Sequence, residues 1–184
     1  MPFQVRIDIE GAKPPIWRRI LVEEDIMLDE MHDILQILFD WSGAHMHHFQ
    51  TDQLFIKPPD EFDSEMPMGL EVTDSASVAL KDVFKKPGDE MIYIYDYGDD
   101  WVHRIVFERT MQMRDEDRPV ICIGGRMESP PEDSGGIHGY YELLEALPDK
   151  NHDAHKMAVE MLGKKFDASF FDEEGINDQL TAWA

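Results

Sequence analysis

Cysteine is almost missing from this chain: Cys122 is the single thiol in 184 residues. No intramolecular disulfide can form, and every zinc motif built on several cysteines is excluded. Such sparse usage points to a reducing compartment. Positive charge is scarce too. Lys and Arg number 17 against 39 Asp and Glu, a formal net charge of −22 at pH 7. A surface of that sign repels a phosphate backbone, so direct nucleic-acid binding is not expected. The same excess favours divalent cations or a basic protein partner. There is also no apolar run of about 18 residues, which argues against a membrane span. The N-terminal stretch carries charge from Arg6 onward and lacks the apolar core of a signal peptide. The expectation is a cytoplasmic protein, with its oligomeric state left open.

What is present is enough for a packed interior. Hydrophobic residues make up 42% of the chain, including 4 Trp, 10 Phe and 5 Tyr, so disorder is excluded as the dominant state. The length suits one domain spanning 1–184, with a sheet-and-helix core over 1–123 and a Gly/Pro loop with a helical extension over 124–184. Phe3, Val5, Ile7 and Ile9 alternate with polar residues, as in a strand with one buried face. IWRRILVEE reads as its antiparallel partner after a Gly/Pro loop. In LDEMHDILQILFDWSG, Met31, Ile34, Leu35, Leu38 and Trp41 recur at helical spacing, with Asp29 placed to cap the first turn and Gly43 to end the last.

The remainder of the core reads as strands. HMHHFQTDQLFIK is predicted to be one strand, KPPDEFDSEMPMGLEVTDS a surface excursion, and MIYIYDYG with WVHRIVFERT a hairpin. Strand, strand, helix, strand, strand, strand predicts an α+β fold: a β-grasp-like mixed sheet with one crossing helix. From Gly124 to Gly139 the glycines and paired prolines predict a long loop. Short helices over YYELLEAL, HDAHKMAVEMLG and the aromatic tail would form the C-terminal helical extension.

Three blocks concentrate chemistry. His45 and His47 stand two apart after the helix, the spacing at which extended residues face one side, as metal ligands often do. His32, His152 and His155 fall on polar helix faces. YDYGDDWVH, residues 95–103, gathers carboxylates, aromatic rings and an imidazole at a hairpin tip. A three-residue turn would set Tyr97 opposite Trp101 and Tyr95 opposite His103; a two-residue turn would set Asp96 opposite Trp101. Asp99 and Asp100 occupy the tip in both. Glycine and aspartate also suit any tight turn, but a charge within an otherwise apolar strand needs a partner, and Asp96 is close enough to orient His103. SPPEDSGG places Glu132 and Asp133 between stiffening prolines and permissive glycines. Arg18 and Arg19 form a basic pair at a strand start. One of them would face the covered side of the sheet, in an ion pair or as an anion-binding group. Cys122 reads as a small buried residue.

PPIWRRI, FDWSGAHMHHF, YIYDYGDDWVHRIVFE, ICIGG, PPEDSGG, GYYELLEAL and FDASFFDEEGINDQL together resemble the plasmid pRiA4b ORF-3-like family, found among mobile-element passenger proteins. The likeness spans nearly the whole chain, with YDYGDDWVH and PPED-x-GG its specific parts. It implies an α+β core with grasp-like character and assigns no reaction, since the chain has no matching catalytic serine motif. Family members usually carry cysteine where this chain has Ser134, which puts in question a two-thiol metal site using Cys122.

Two functional expectations follow. In the first, a polar cleft binds a divalent cation or a small polar ligand, with His45, His47, Asp99, Asp100 and His103 as metal ligands and Arg18, Asp96, Trp101, Glu132 and Asp133 as ligand-binding groups. Zn, Mn or Mg would suit such donors, and an open position would activate water for hydrolysis. In the second, the domain is a non-enzymatic interaction module accessory to a mobile element, engaging a basic protein partner.

Overall fold

The structure is a computed structural model that describes residues 1–59, 71–112 and 118–184. Its centre is an eight-stranded mixed sheet: β1 (Phe3–Ile9), β2 (Trp17–Val22), β3 (His47–Gln50), β4 (Leu54–Lys57), β5 (Glu71–Asp74), β6 (Glu90–Tyr95), β7 (Trp101–Thr110) and β8 (Val120–Arg126). The spatial order is β5-β4-β3-β6-β7-β1-β2-β8. Neighbours run antiparallel except β4 and β5, which are parallel. The strand predicted over HMHHFQTDQLFIK is in fact a hairpin, because Thr51 accepts from the amides of Gln53 and Leu54 and turns the chain back. Most of the predicted excursion lies outside the described residues, and its end forms β5.

Helix α1 (Leu28–Phe39) covers one sheet face. Met31, Ile34, Leu35 and Leu38 are inaccessible and share one cluster with Val5, Ile7, Ile20, Tyr93 and Ile105. Its ends differ from expectation. The Glu30 carboxylate accepts from Met27 N at 2.9 Å, which leaves Asp29 inside the first turn. Asp40, not Gly43, takes the left-handed C-terminal conformation, a region aspartate tolerates. Gly43 N instead donates to Gln36 Oε1 at 2.9 Å. The opposite sheet face carries paired charges and the half-buried Trp17: Arg6 with Asp8, Arg19 with Glu108, and both guanidiniums over the Trp17 ring. A sheet with one covered and one wetted face explains the alternation along β1.

Four further α-helices follow among the described residues: α2 (Leu80–Val83), α3 (Gly136–Ala146), α4 (His155–Leu162) and α5 (Glu173–Trp183). The long loop expected after Gly124 is shorter than its composition implies. β8 continues through Gly124 and Gly125 to Arg126, and α3 begins at Gly136. Gly125 is needed there because a Cβ would stand 2.4 Å from the Phe171 ring. Tyr140 of α3 and Ile176 and Leu180 of α5 join the main apolar cluster.

Candidate functional site

The β6–β7 hairpin sets the geometry. Tyr95 lies opposite Trp101 and Tyr93 opposite His103, so the tip is a five-residue loop, 96–100, and neither of the shorter turns forms. Aspartates make this closure possible. Asp96 and Asp100 adopt positive φ of 59° and 54°, and Asp100 N donates to Asp96 O at 2.6 Å. The Asp96 Oδ1 accepts from the amides of Gly98 and Asp99 at 3.0 and 3.4 Å, the local bonding typical of aspartate in turns. With Oδ1 committed, Oδ2 faces His45 Nδ1 at 3.7 Å. On its other side, His45 Nε2 lies 3.4 Å from Asp133 Oδ1. Side-chain accessibility rises from 11% at Asp96 to 32% at His45 and 75% at Asp133, so the group is open to solvent on the Asp133 side.

The loop bearing Asp133 is tied down from several directions. Trp41 Nε1 donates to Pro130 O at 2.8 Å. Ser42 N and Oγ donate to the two Glu132 oxygens at 3.0 and 3.1 Å, and the Tyr95 hydroxyl donates to Glu132 Oε1. Burial and that carboxylate push the Tyr95 phenol up to about 12. Gly135 N donates to Asp99 Oδ2 at 3.0 Å. At Gly136, with φ +66°, a Cβ would stand 2.2 Å from Asp99 O, so only glycine lets the α3 start approach the hairpin tip.

The acidic tip and the Glu132 loop therefore meet, and the expected site residues fall into separate roles. His45, Asp96 and Asp133 converge. Asp99 caps the approach to α3. Asp100 shapes the tip and borders a shallow cavity of about 290 Å³ with Glu10, Trp101 and His138. His103 is fully buried, packed against Phe39, Trp41 and Tyr93, with Nδ1 3.0 Å from Trp101 O. The partner of Asp96 is His45 and not His103. Burial drops the His103 imidazole to about 4. His47 points to the covered sheet face and stacks on His32 with centroids 3.6 Å apart. Burial and the neighbouring imidazoles lower it to about 3. Trp101 is a buried ring packed on Trp41.

Arg18 is buried with its guanidinium hydrogen-bonded to the carbonyls of Trp17, Leu38 and Arg126 and to Ser129 Oγ, between the Phe39 and Phe171 rings. Burial lowers it to about 10. This arrangement braces β2 against α1 and the 126–129 segment, with carbonyls standing where a carboxylate partner was expected.

His32, expected on a polar helix face, instead packs against the sheet, stacked on His47, and Ser42 was not singled out from the sequence. His32 bonds the Tyr93 hydroxyl at 2.7 Å through Nδ1, and Gln36 shares that hydroxyl at 2.9 Å. The signal was the i, i+4 row Leu28-His32-Gln36, which flanks the apolar stripe of α1. Ser42 carried no comparable signal, since its role depends on a carboxylate 90 residues away.

Chemically, one imidazole and two carboxylates supply hard and borderline donors, all within 4.8 Å of one another. The 3.4 Å separation of His45 Nε2 and Asp133 Oδ1 is close to the edge of a tetrahedron with metal bonds of about 2.0–2.1 Å, roughly 3.3 Å.

A mixed α+β fold with one covered sheet face and an imidazole–carboxylate notch at the end of its central hairpin defines the class of protein. Within it the chain belongs to the plasmid pRiA4b ORF-3-like protein family, whose pattern matches residues 2–175. It is similar to the uncharacterized protein y4hQ of Sinorhizobium fredii (strain NBRC 101917 / NGR234), 29% identical over 187 residues that cover 98% of this chain and 93% of the relative. The crystal structure of MM3350 from Methanosarcina mazei Go1, a protein of unknown function, superposes with a TM-score of 0.81 at 30% identity, covering 95% of each chain.

Proposed function

We propose that the protein binds one divalent cation of the Zn or Mn type through His45, Asp96 and Asp133. Three protein donors leave coordination positions for water or a small polar ligand, the arrangement that supports Lewis-acid or hydrolytic chemistry. The observation that carries this reading is the convergence of three donors from three separate segments, one ligand atom of each within 4.8 Å of the others. A mixed N/O donor set with no thiolate favours these ions over soft metals. We also infer that the β1–β2 hairpin with α1 crossing the sheet is a grasp-like core. The burial of the α1 apolar stripe supports that comparison.

Titration calorimetry of metal-stripped protein with Mn²⁺ and Zn²⁺ tests the cation reading. One equivalent should bind, and His45→Ala should reduce affinity at least 10-fold. Wild-type protein that takes up neither ion overturns it.

A further inference from the structure

The cation reading leaves an oddity. Glu132 adjoins Asp133 but does not join the three-donor group, although its carboxylate sits among those same segments. Both of its oxygens are committed: Oε1 accepts from the Tyr95 hydroxyl and Ser42 Oγ, and Oε2 from Ser42 N. Each of these contacts lies beside a ligand in the chain. Ser42 lies three residues before His45, Tyr95 immediately precedes Asp96, and Glu132 immediately precedes Asp133. One carboxylate thus joins the three backbone segments that carry the three donors.

Resting on the cation reading, we infer that Glu132 and Tyr95 are positioning residues. They hold His45, Asp96 and Asp133 at coordinating distance without touching the ion themselves. The need is greatest at Asp133, which is 75% exposed and sits at φ 57°. A side chain so open to water keeps its direction only if the backbone beneath it is fixed. The Tyr95 ring reinforces the arrangement from the other side, edge-on to His45 with centroids 5.6 Å apart and stacked on Trp41 at 5.2 Å. Outer contacts that orient ligands typically change metal affinity 10- to 100-fold when removed.

The remaining anchors separate this role from folding. Trp41 Nε1 on Pro130 O and Asp99 on Gly135 N still secure the loop when the Glu132 contacts are lost. Tyr95→Phe keeps the ring and its stacking. Ser42→Ala removes only one exposed hydroxyl donor.

The experiment compares wild type, Tyr95→Phe, Ser42→Ala and His45→Ala by Mn²⁺ titration and by the visible absorption of bound Co²⁺, which reports ligand geometry. Tyr95→Phe should bind Mn²⁺ about 10-fold more weakly with an altered Co²⁺ spectrum, Ser42→Ala should shift the same way by less, and His45→Ala should lose the site. A purely structural role would lower the melting midpoint of Tyr95→Phe and leave its Co²⁺ spectrum that of wild type. Binding lost in His45→Ala but unchanged in affinity and spectrum in Tyr95→Phe and Ser42→Ala overturns this inference alone. Absence of binding by wild type overturns the cation reading and this inference with it.

Discussion

Ser134 is 8% exposed, and its hydroxyl finds no hydrogen-bond partner among the described residues. An unsatisfied buried hydroxyl costs about 1–3 kcal/mol. Ser134→Ala should therefore raise stability by about 1 kcal/mol, read as a higher urea midpoint at unchanged slope. A lower midpoint would mean that the hydroxyl has a partner in solution. Gly136 predicts the reverse. Alanine there meets Asp99 O at 2.2 Å in a left-handed conformation, so Gly136→Ala should cost about 3 kcal/mol or more and loosen the contact between hairpin tip and α3. Thermal melts would show it. At this scale the sequence was legible in part. Asp96 announced itself as a carboxylate needing a partner, but chain proximity pointed to His103. The β7 register turns that imidazole into the core, and the segment entering β3, the strand paired with β6, brings His45 to Asp96.

Elements with strong local patterns were readable. The 3.6-residue stripe of α1 and the alternation in β1, β6 and β7 each follow from one buried face. The ends were less so, because Asp40 and Asp96 accept backbone conformations that glycine more often takes. The edge of the sheet at β8 shows a contact no pattern encodes. The Asn177 amide of α5 accepts from Cys122 N and donates to Cys122 O, both at 2.8 Å, completing the strand edge as another strand would. Asn177→Leu removes both bonds and should cost about 2 kcal/mol. Amide exchange in β8 should then accelerate while that in β6 changes little.

For the molecule as a whole, acid is the expected weakness. Burial holds His32 near about 4, His47 near about 3, and His48 and His103 near about 4. In the unfolded chain each returns to roughly 6.5. Between those values the unfolded state binds more protons, so stability is full above about pH 6.5, falls as pH drops, and levels off near pH 3–4 as far as these groups are concerned. His103 alone contributes on the order of 3 kcal/mol. Urea midpoints from pH 8 to pH 4 should decline accordingly, and His103→Phe should flatten part of the slope. A flat profile would contradict the neutral burial of these rings. At the same scale, the charge of −22 predicts no retention of duplex DNA in a low-salt gel shift. No described helix is long and apolar enough to cross a membrane.

Composition and periodicity, which depend only on neighbours along the chain, determined the single-thiol chemistry, the acidic surface, the α+β class and the identity of the chemically rich blocks. The sheet order and the meeting of those blocks were decided in three dimensions. β7 pairs with β1 across about 100 residues, and Glu132 reaches Ser42 across 90. Which donors face one another depends on strand register and on backbone bends such as that at Asp96. A shift of one residue in register reverses the face on which every side chain of a strand lies.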